Sequence, residues 1–422
     1  MKILWLVNIV MPDLAVHLGR TPSVFGGWLS GALSAIRSSG HELVVCTTEE
    51  NTSAAGRYEI GGVTYYLTNR CDISAMRQEF RNILQQEQPD VVHLYGTEFS
   101  HSYAMSMETD PSKTLVTIQG CLHYCKDVVY AGLPEHLCRD TLLHKALRTL
   151  HKGGQSIELQ KISFTQRAKL ECEVLRRAKY IHGGSTWGCA VARSINPNCV
   201  TFDCGLTLRD SFYDAPQWNY DRCAPHSIYA LYTYPIKGFH KLLDAMPIVL
   251  NRFPDAKIYA VGNKLHDRRY TGLKYEIQNR APDYAWILQQ KIEALGLKGH
   301  IEFVGYLSEE QVKEQLLQAN VFVSPSAIEN QSTALGEAMM LGVPCVASCV
   351  GAMQEMIDHG RDGFLYPFNE TYMLADYICQ LFESPPLAEQ FSKEGHLHAA
   401  RTYDRDTNCR KLLEMYETIA KS

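Results

Sequence analysis

Apolar and polar positions along the chain fall into short runs of two alternating kinds. The first kind opens the sequence as "KILWLVNIV", nearly all apolar, and returns as "HELVVCT", "DVVHLYG" and "KTLVTIQG". The second kind, "GGWLSGALSAIRSSG", repeats its apolar positions at helical spacing and stops at Gly40. Short β-rich runs separated by helix-length stretches predict βαβ units and a parallel sheet covered on both faces. "YIHGGST" and "NPNCVTFDCGL" read as two further strands.

Residues 214–226, "DAPQWNYDRCAPH", carry no periodicity and two prolines, and predict a linker. Beyond it the alternation restarts. "SIYALYTY", "AKIYAVG", "HIEFVGYL", "NVFVSPS" and "PCVASCV" read as strands. "GFHKLLDAMPIVLNRF", "YAWILQQKIEALG", "SEEQVKEQLLQA" and "TALGEAMMLG" read as the helices between them. The predicted fold class is α/β, with two Rossmann-like, doubly wound parallel-sheet domains in tandem. We place the first over 1–215 and the second over 216–399. Open α/β sheets take ligands at the carboxyl ends of their strands, so the expectation is two domains facing a cleft.

A chain of 422 residues exceeds the size at which single cores stop growing, which agrees with more than one domain. The net charge of −5 argues against a nucleic-acid binder, which would carry a basic surplus. No apolar run approaches the roughly 20 residues that span a bilayer. The opening run looks like a short secretory segment, but no small-x-small site follows and Asp13 arrives early, so a buried strand accounts for it better. Fourteen cysteines form no C-x2-C pair and no zinc-ligand series, as expected of buried thiols in a cytoplasmic protein. His93, His101, His123 and His182 stand near strand ends, where structural roles outnumber catalytic ones.

Residues 139–180 break the charge balance with a net +6. Leu142, Leu143, Ala146, Leu147 and Leu150 fall on a helical period among these cations, which describes a basic amphipathic helix. Two readings stay open: a peripheral contact with an anionic membrane, or a solvated helical hairpin.

Three stretches carry candidate chemistry. Gly26-Gly27 precedes a helix without fitting G-x-G-x-x-G, so it can bring backbone close to a phosphate or be an ordinary turn. Lys237-Gly238 follows a strand and opens a helix, where an ammonium can reach a phosphate or merely meet solvent. The stretch "SAIENQSTALGEAMMLG" places Glu329 just before a helix and Glu337 inside it among Ala334, Leu335, Ala338 and Met339. A helix start near Ser332 and Thr333 offers unpaired N–H groups and a positive pole. From spacing alone the two glutamates can equally be a cap and a solvated side chain.

"SPSAIENQSTALGEAMMLGVPCVASCVGAMQEMIDHGRDGFLYP" resembles the C-terminal signature of glycosyltransferase family 4, retaining enzymes of the GT-B fold. "RSSGHELVVCT", "QPDVVHLYG", "IKGFHKLLDA", "AVGN" and "IEFVGYLSEEQVKEQLLQANVFVSPS" extend the resemblance over nearly the whole chain. It is similar to the branch associated with bacterial surface polysaccharide assembly. The resemblance implies transfer of a sugar, with retention and without a metal or cofactor, from a UDP- or GDP-linked sugar to a saccharide or lipid-linked acceptor. A final helix at 400–422 that crosses back to the first domain is also implied.

By position, the resemblance puts Glu329 on the donor sugar and Glu337 on the ribose. Lys237 and the backbone of Gln331, Ser332, Thr333 and Ala334 hold the diphosphate, with Gly26 and Gly27, and Asn330 also belongs to the donor-binding set. Gly305 and Tyr306 lie against the base. Tyr232 stands where many members have an arginine. Gln119-Gly120 stands where many have a histidine, with His123 on the same acceptor side. A nucleotide-sugar 2-epimerase and a catalytically silent sugar-nucleotide-binding protein are the alternatives, and a cytoplasmic location, peripheral at the inner face of the membrane if 139–180 docks, completes the expectation.

Overall fold

Strand β1 (Lys2–Val7) buries both of its faces, which its unbroken apolar run anticipates. Ile3, Trp5 and Val7 enter one core, and Leu4 and Leu6 enter another across the sheet. The computed structural model describes residues 1–23, 26–151, 156–262 and 283–422. Asn263 of the "AVGN" motif and Lys152 of the basic segment lie outside the described residues.

The chain divides into two compact units. Among the described residues, the first contains an eight-stranded sheet built from β1 and seven more strands. These are β2 (Glu42–Glu49), β3 (Gly56–Ile60), β4 (Val63–Asn69), β5 (Val91–Tyr95), β6 (Thr114–Thr117), β7 (Tyr180–His182) and β8 (Val200–Phe202). Their order is β3-β4-β2-β1-β5-β6-β7-β8, and every neighbouring pair is parallel except β3 with β4. That antiparallel hairpin, closed by Gly61-Gly62, is absent from the sequence-based expectation. Its two runs, "GRYEI" and "VTYYLTN", flank a two-residue turn of the kind that favours hairpins. One core takes Leu29, Leu33 and Ile36 from the helix Gly27–Ser38 and Leu412, Met415 and Tyr416 from the helix Arg405–Ala420. The other takes Phe80 from the helix Ile73–Glu87 and Leu175 from the helix Ile157–Arg177.

The second unit contains, among the described residues, a six-stranded parallel sheet. Its strands are β9 (Ser227–Leu231), β10 (Lys257–Val261), β11 (Ile301–Gly305), β12 (Val321–Ser324), β13 (Cys345–Ser348) and β14 (Phe364–Tyr366). They run in the order β11-β10-β9-β12-β13-β14. The helix Glu309–Gln318 opens with a reciprocal capping box between Ser308 and Gln311, which "SEEQ" foreshadows.

Residues 124–164 depart from the division at 215/216 by clustering with the second unit, and 401–422 cluster with the first. His240 accounts for part of the former: burial pushes its imidazole down to about 4, and the neutral ring's Nε2 donates to Ala131 O at 2.8 Å. The proline-rich 214–226 stretch is also anchored more firmly than a linker. Trp218 is buried, its Nε1 donates to Ala319 O at 2.7 Å, and its backbone N–H donates to Leu341 O. No helix among the described residues is long and apolar enough to cross a membrane.

Candidate functional site

In the second sheet the strand order reverses between β9 and β12, and the loops leaving these two strands carry Lys237 and Glu329. Lys237 closes a single 3-10 turn, Pro235–Lys237, before the helix Phe239–Arg252. Gly238 follows with φ 68°, and a Cβ built there would stand 1.7 Å from Pro325 O. Only glycine lets the Lys-Gly turn lie against the loop after β12. Backbone bonds fix this apposition, Ala327 N–H donating to Ile236 O at 2.7 Å and Ala352 N–H to Glu329 O at 3.0 Å.

The side chains meet as a consequence. Lys237 Nζ donates to Glu329 Oε1 at 2.5 Å, and Ser326 Oγ donates to the same oxygen at 2.7 Å. The Glu329 side chain is only 11 % exposed, so this is a sheltered pair. Burial pushes the Lys237 ammonium down, but the Glu329 carboxylate and Tyr234 more than offset it, and the net shift is upward. Lys237 therefore stays protonated throughout the physiological range. Ser326 is itself fully buried, and its carbonyl accepts from Ser348 Oγ. The sequence-based site omits Ser326, whose signal is its place two residues beyond a buried strand.

The helix Thr333–Met340 starts a few residues further on. Ser332 caps it by accepting from Leu335 N–H at 3.4 Å. The first-turn N–H groups lack intrahelical acceptors and give this end a partial positive charge. Lys237, Ser326, Glu329, Gln331, Ser332 and Thr333 line a cavity of about 130 Å³, together with Ala334 at its edge. Asn330 and Glu337 are both 7 % exposed, Glu337 on the second turn of the helix. The cavity thus offers a cation, a helix N-terminus and a carboxylate within one wall. That combination suits an anionic group joined to a hydroxyl-bearing one.

Other expected residues lie elsewhere. Tyr232 directs its ring into an aromatic core against Phe239 and Phe303, at centroid distances of 5.5 and 5.0 Å, and is not among the cavity's lining residues. A tyrosine in place of the arginine expected there satisfies packing. Gly305 ends β11, and the following Tyr306 is 51 % exposed, neither of them lining the cavity.

Gly26, Gly27, Gln119, Gly120 and His123 belong to the first unit. Gly26 caps the helix Gly27–Ser38 with φ 77°. Gln119 Oε1 accepts from Asn8 Nδ2 at 3.1 Å. Gly120 has open space where a side chain would stand. The His123 backbone N–H donates to the buried Glu171, and its Nδ1 pairs with Cys172 Sγ at 3.3 Å. His93, His101 and His182 are buried with hydrogen-bond partners, as a structural role requires.

Two parallel-sheet α/β domains with a site at a strand-order reversal, followed by a helical C-terminus, define the GT-B class of glycosyltransferase folds. Residues 228–398 match the family model "Glycosyl transferases group 1". Phosphatidyl-myo-inositol mannosyltransferase of Mycobacterium leprae is 29% identical over 216 residues, 50% of this chain and 52% of that protein. Mannosylfructose-phosphate synthase of Agrobacterium fabrum is 28% identical over 168 residues, 39% and 34% of the two chains. The chain spans about half the length, or less, of the curated relatives it matches.

Solved structures extend the likeness to the whole fold. Sucrose-phosphate synthase from Thermosynechococcus elongatus superposes with a TM-score of 0.71 at 16% identity, covering 100% of both chains. Anabaena HepE in complex with UDP and glucose gives 0.66 at 16% identity, covering 99% of this chain and 100% of that one.

Proposed function

We propose that the protein is a retaining, metal-independent glycosyltransferase. It moves a hexose from a nucleotide diphosphate sugar, UDP- or GDP-linked, to a saccharide or lipid-linked acceptor in surface polysaccharide synthesis. The observation that carries the reading is the Lys237–Glu329 pair at the β9/β12 reversal, beside the N-terminus of the helix Thr333–Met340. Departure of a nucleoside diphosphate builds negative charge on phosphate oxygen. A fixed ammonium and oriented backbone N–H groups stabilise that charge with no reorganisation during the step. Glu329 accepts hydrogen bonds from the donor sugar and stabilises its oxocarbenium-like character. Glu337, nearly buried, accepts the ribose hydroxyls. The group 1 family match and the UDP complexes of a structural neighbour support the same reading.

Thermal-shift screening against UDP, GDP, ADP and CMP tests it. One of the first two should raise the unfolding midpoint, and Glu337→Ala should weaken that nucleotide about 10- to 100-fold, as loss of hydrogen bonds to a charged group implies. No response to any nucleotide would overturn the proposal. Conversion of the nucleotide sugar without an acceptor would favour an epimerase.

A peripheral membrane contact through 139–180 belongs to the same proposal. Leu142 is 87 % exposed, Leu143 57 % and Leu159 51 %, near the exposed Arg139 and Lys145. Apolar side chains flanked by cations suit the surface of an anionic bilayer. The full chain should co-sediment with vesicles of mixed phosphatidylglycerol and phosphatidylcholine, and Leu142→Asp with Leu143→Asp should release it. Binding that ignores the anionic lipid would count against the contact.

A further inference from the structure

The ladder between β12 and β13 ends at Ser324 with Ala347, and Pro325, which has no N–H, cannot extend it. A side chain carries the apposition further: Ser348 Oγ donates to Ser326 O at 2.5 Å. Ala327 N–H ties the next peptide to Ile236 O at 2.7 Å, and Glu329 O accepts from Ala352 N–H at 3.0 Å. Gly351 packs so closely on this loop that a Cβ there would stand 2.0 Å from Glu329 O. Residues 326–329 are neither helix nor strand, yet their backbone is held at Ser326, Ala327 and Glu329.

Inside this loop the buried Ser326 donates through Oγ to Glu329 Oε1 at 2.7 Å, and Lys237 Nζ reaches the same oxygen at 2.5 Å. An ionised carboxylate can only accept, so both hydrogens point at it. The two donors are unequal supports. Lys237 carries its ammonium on a flexible four-carbon stem, whereas Ser326 has one side-chain torsion and a fixed backbone. The serine is therefore the rigid reference against which the carboxylate is set, and the carboxylate in turn steadies the ammonium. Both donors meet on Oε1, which leaves Oε2 as the oxygen to present to a ligand in the cavity that all three residues line.

We infer that Ser326 is a positioning residue for the transfer. Its hydroxyl fixes the Glu329 carboxylate so that Oε1 keeps the Lys237 ammonium in place while Oε2 meets the donor sugar. The inference rests on the glycosyltransferase reading and adds to it the group that preorganises the pair. A carboxylate that must turn into place during the step loses part of its interaction with the sugar's developing positive charge to that reorganisation. One already held by a buried hydroxyl does not. In the same reading the nucleotide is bound by other groups, the helix N-terminus on its diphosphate and Glu337 on its ribose. Loss of the Ser326 hydroxyl should therefore appear in kcat and leave nucleotide affinity alone.

The test uses the full chain with UDP-glucose, UDP-galactose, UDP-N-acetylglucosamine and GDP-mannose as donors. Methyl glucoside and methyl mannoside serve as acceptors, and release of UDP or GDP is followed. Ser326→Ala should lower kcat about 10- to 100-fold, the scale of one hydrogen bond to a charged group. KM for the donor should stay within about twofold of the parent, and calorimetric affinity for UDP or GDP should not change. In a Glu329→Ala background no carboxylate is left to position, so adding Ser326→Ala should cost less than about twofold. Direct contact of Ser326 with the sugar, or a general loosening of the loop, would instead lower the rate by the same factor in both backgrounds. Equal losses in the two backgrounds, an unchanged kcat in Ser326→Ala, or a raised KM at parental kcat would each overturn the assignment while leaving the transferase reading intact. Parental rates in Glu329→Ala, or no nucleotide released by the parent from any donor, would overturn that reading itself and the assignment with it.

Discussion

Lys237→Met is expected to lower sugar transfer by about 10²- to 10³-fold, the usual loss when one preorganised group facing developing charge is removed. The substitution keeps the length of the side chain and deletes the ammonium. It also leaves Glu329 Oε1 in a sheltered position with Ser326 Oγ as its remaining donor among the described residues. Glu329→Gln should reduce transfer by a similar factor while leaving nucleotide binding nearly intact, because its proposed contact is with the sugar. The two groups share one ion pair, so their effects should not add. The double variant should lose little more than the worse single one, as groups acting as a unit do. Release of nucleoside diphosphate from the nucleotide sugar, with acceptor present, measures all three. Parental rates in either single variant would remove the pair from the mechanism, and fully multiplicative losses would show that the residues act apart.

The pieces of this site differ in how visible they were along the chain. Lys237-Gly238 and the stretch from Glu329 to Glu337 are local patterns, each set by a strand, a tight turn and a helix start, and local patterns can be read from one sequence. What pulls them together is the close approach of Gly238 to Pro325, across 87 residues, which no periodicity reports. Tyr232 shows the converse. Its position after β9 marked it as a donor contact, but a ring between Phe239 and Phe303 gains more from packing than from an open loop. The hairpin of β3 and β4 escaped because alternation over five residues is a weak signal beside a longer helix pattern.

Tyr416→Ala should destabilise the first unit by about 3–5 kcal/mol, the range for removing a buried aromatic side chain, with lost hydrogen bonds added. Tyr416 lies fully buried on the C-terminal helix Arg405–Ala420 and belongs to a line of hydrogen bonds that runs from β1 to just past β8. The direction of that line follows from its ends. Trp5 Nε1 on β1 can only donate, and it donates to the Tyr416 hydroxyl at 2.9 Å. Cys204 O, just past β8, can only accept, and it accepts from His182 Nε2 at 2.8 Å.

Burial holds His93 and His182 below their ordinary range, so both rings are neutral and each has one donor and one acceptor nitrogen. The Tyr416 hydroxyl therefore donates to His93 Nδ1 at 2.6 Å, and His93 Nε2 donates to Thr117 Oγ1 at 2.6 Å. Thr117 Oγ1 in turn donates to His182 Nδ1 at 3.0 Å. Protonating either histidine sets a donor against a donor. With folded values below the ordinary 6.5, the stability these rings contribute is present above about pH 6.5 and is lost as pH falls below it. Tyr416→Phe should cost about 1–3 kcal/mol, since it leaves Trp5 Nε1 without its acceptor and His93 Nδ1 without its donor.

A scanning unfolding measurement on the full chain should resolve the consequence. For a unit of about 200 residues each kcal/mol moves the midpoint by about 2–4 °C, so Tyr416→Ala should lower the first unit's transition by about 10 °C. The nucleotide-responsive transition of the second unit should stay where it is. A fall of both transitions together would mean that the C-terminal helix stabilises more than the sheet its tyrosine touches, and an unchanged first transition would mean that the line of hydrogen bonds does not hold the helix in place.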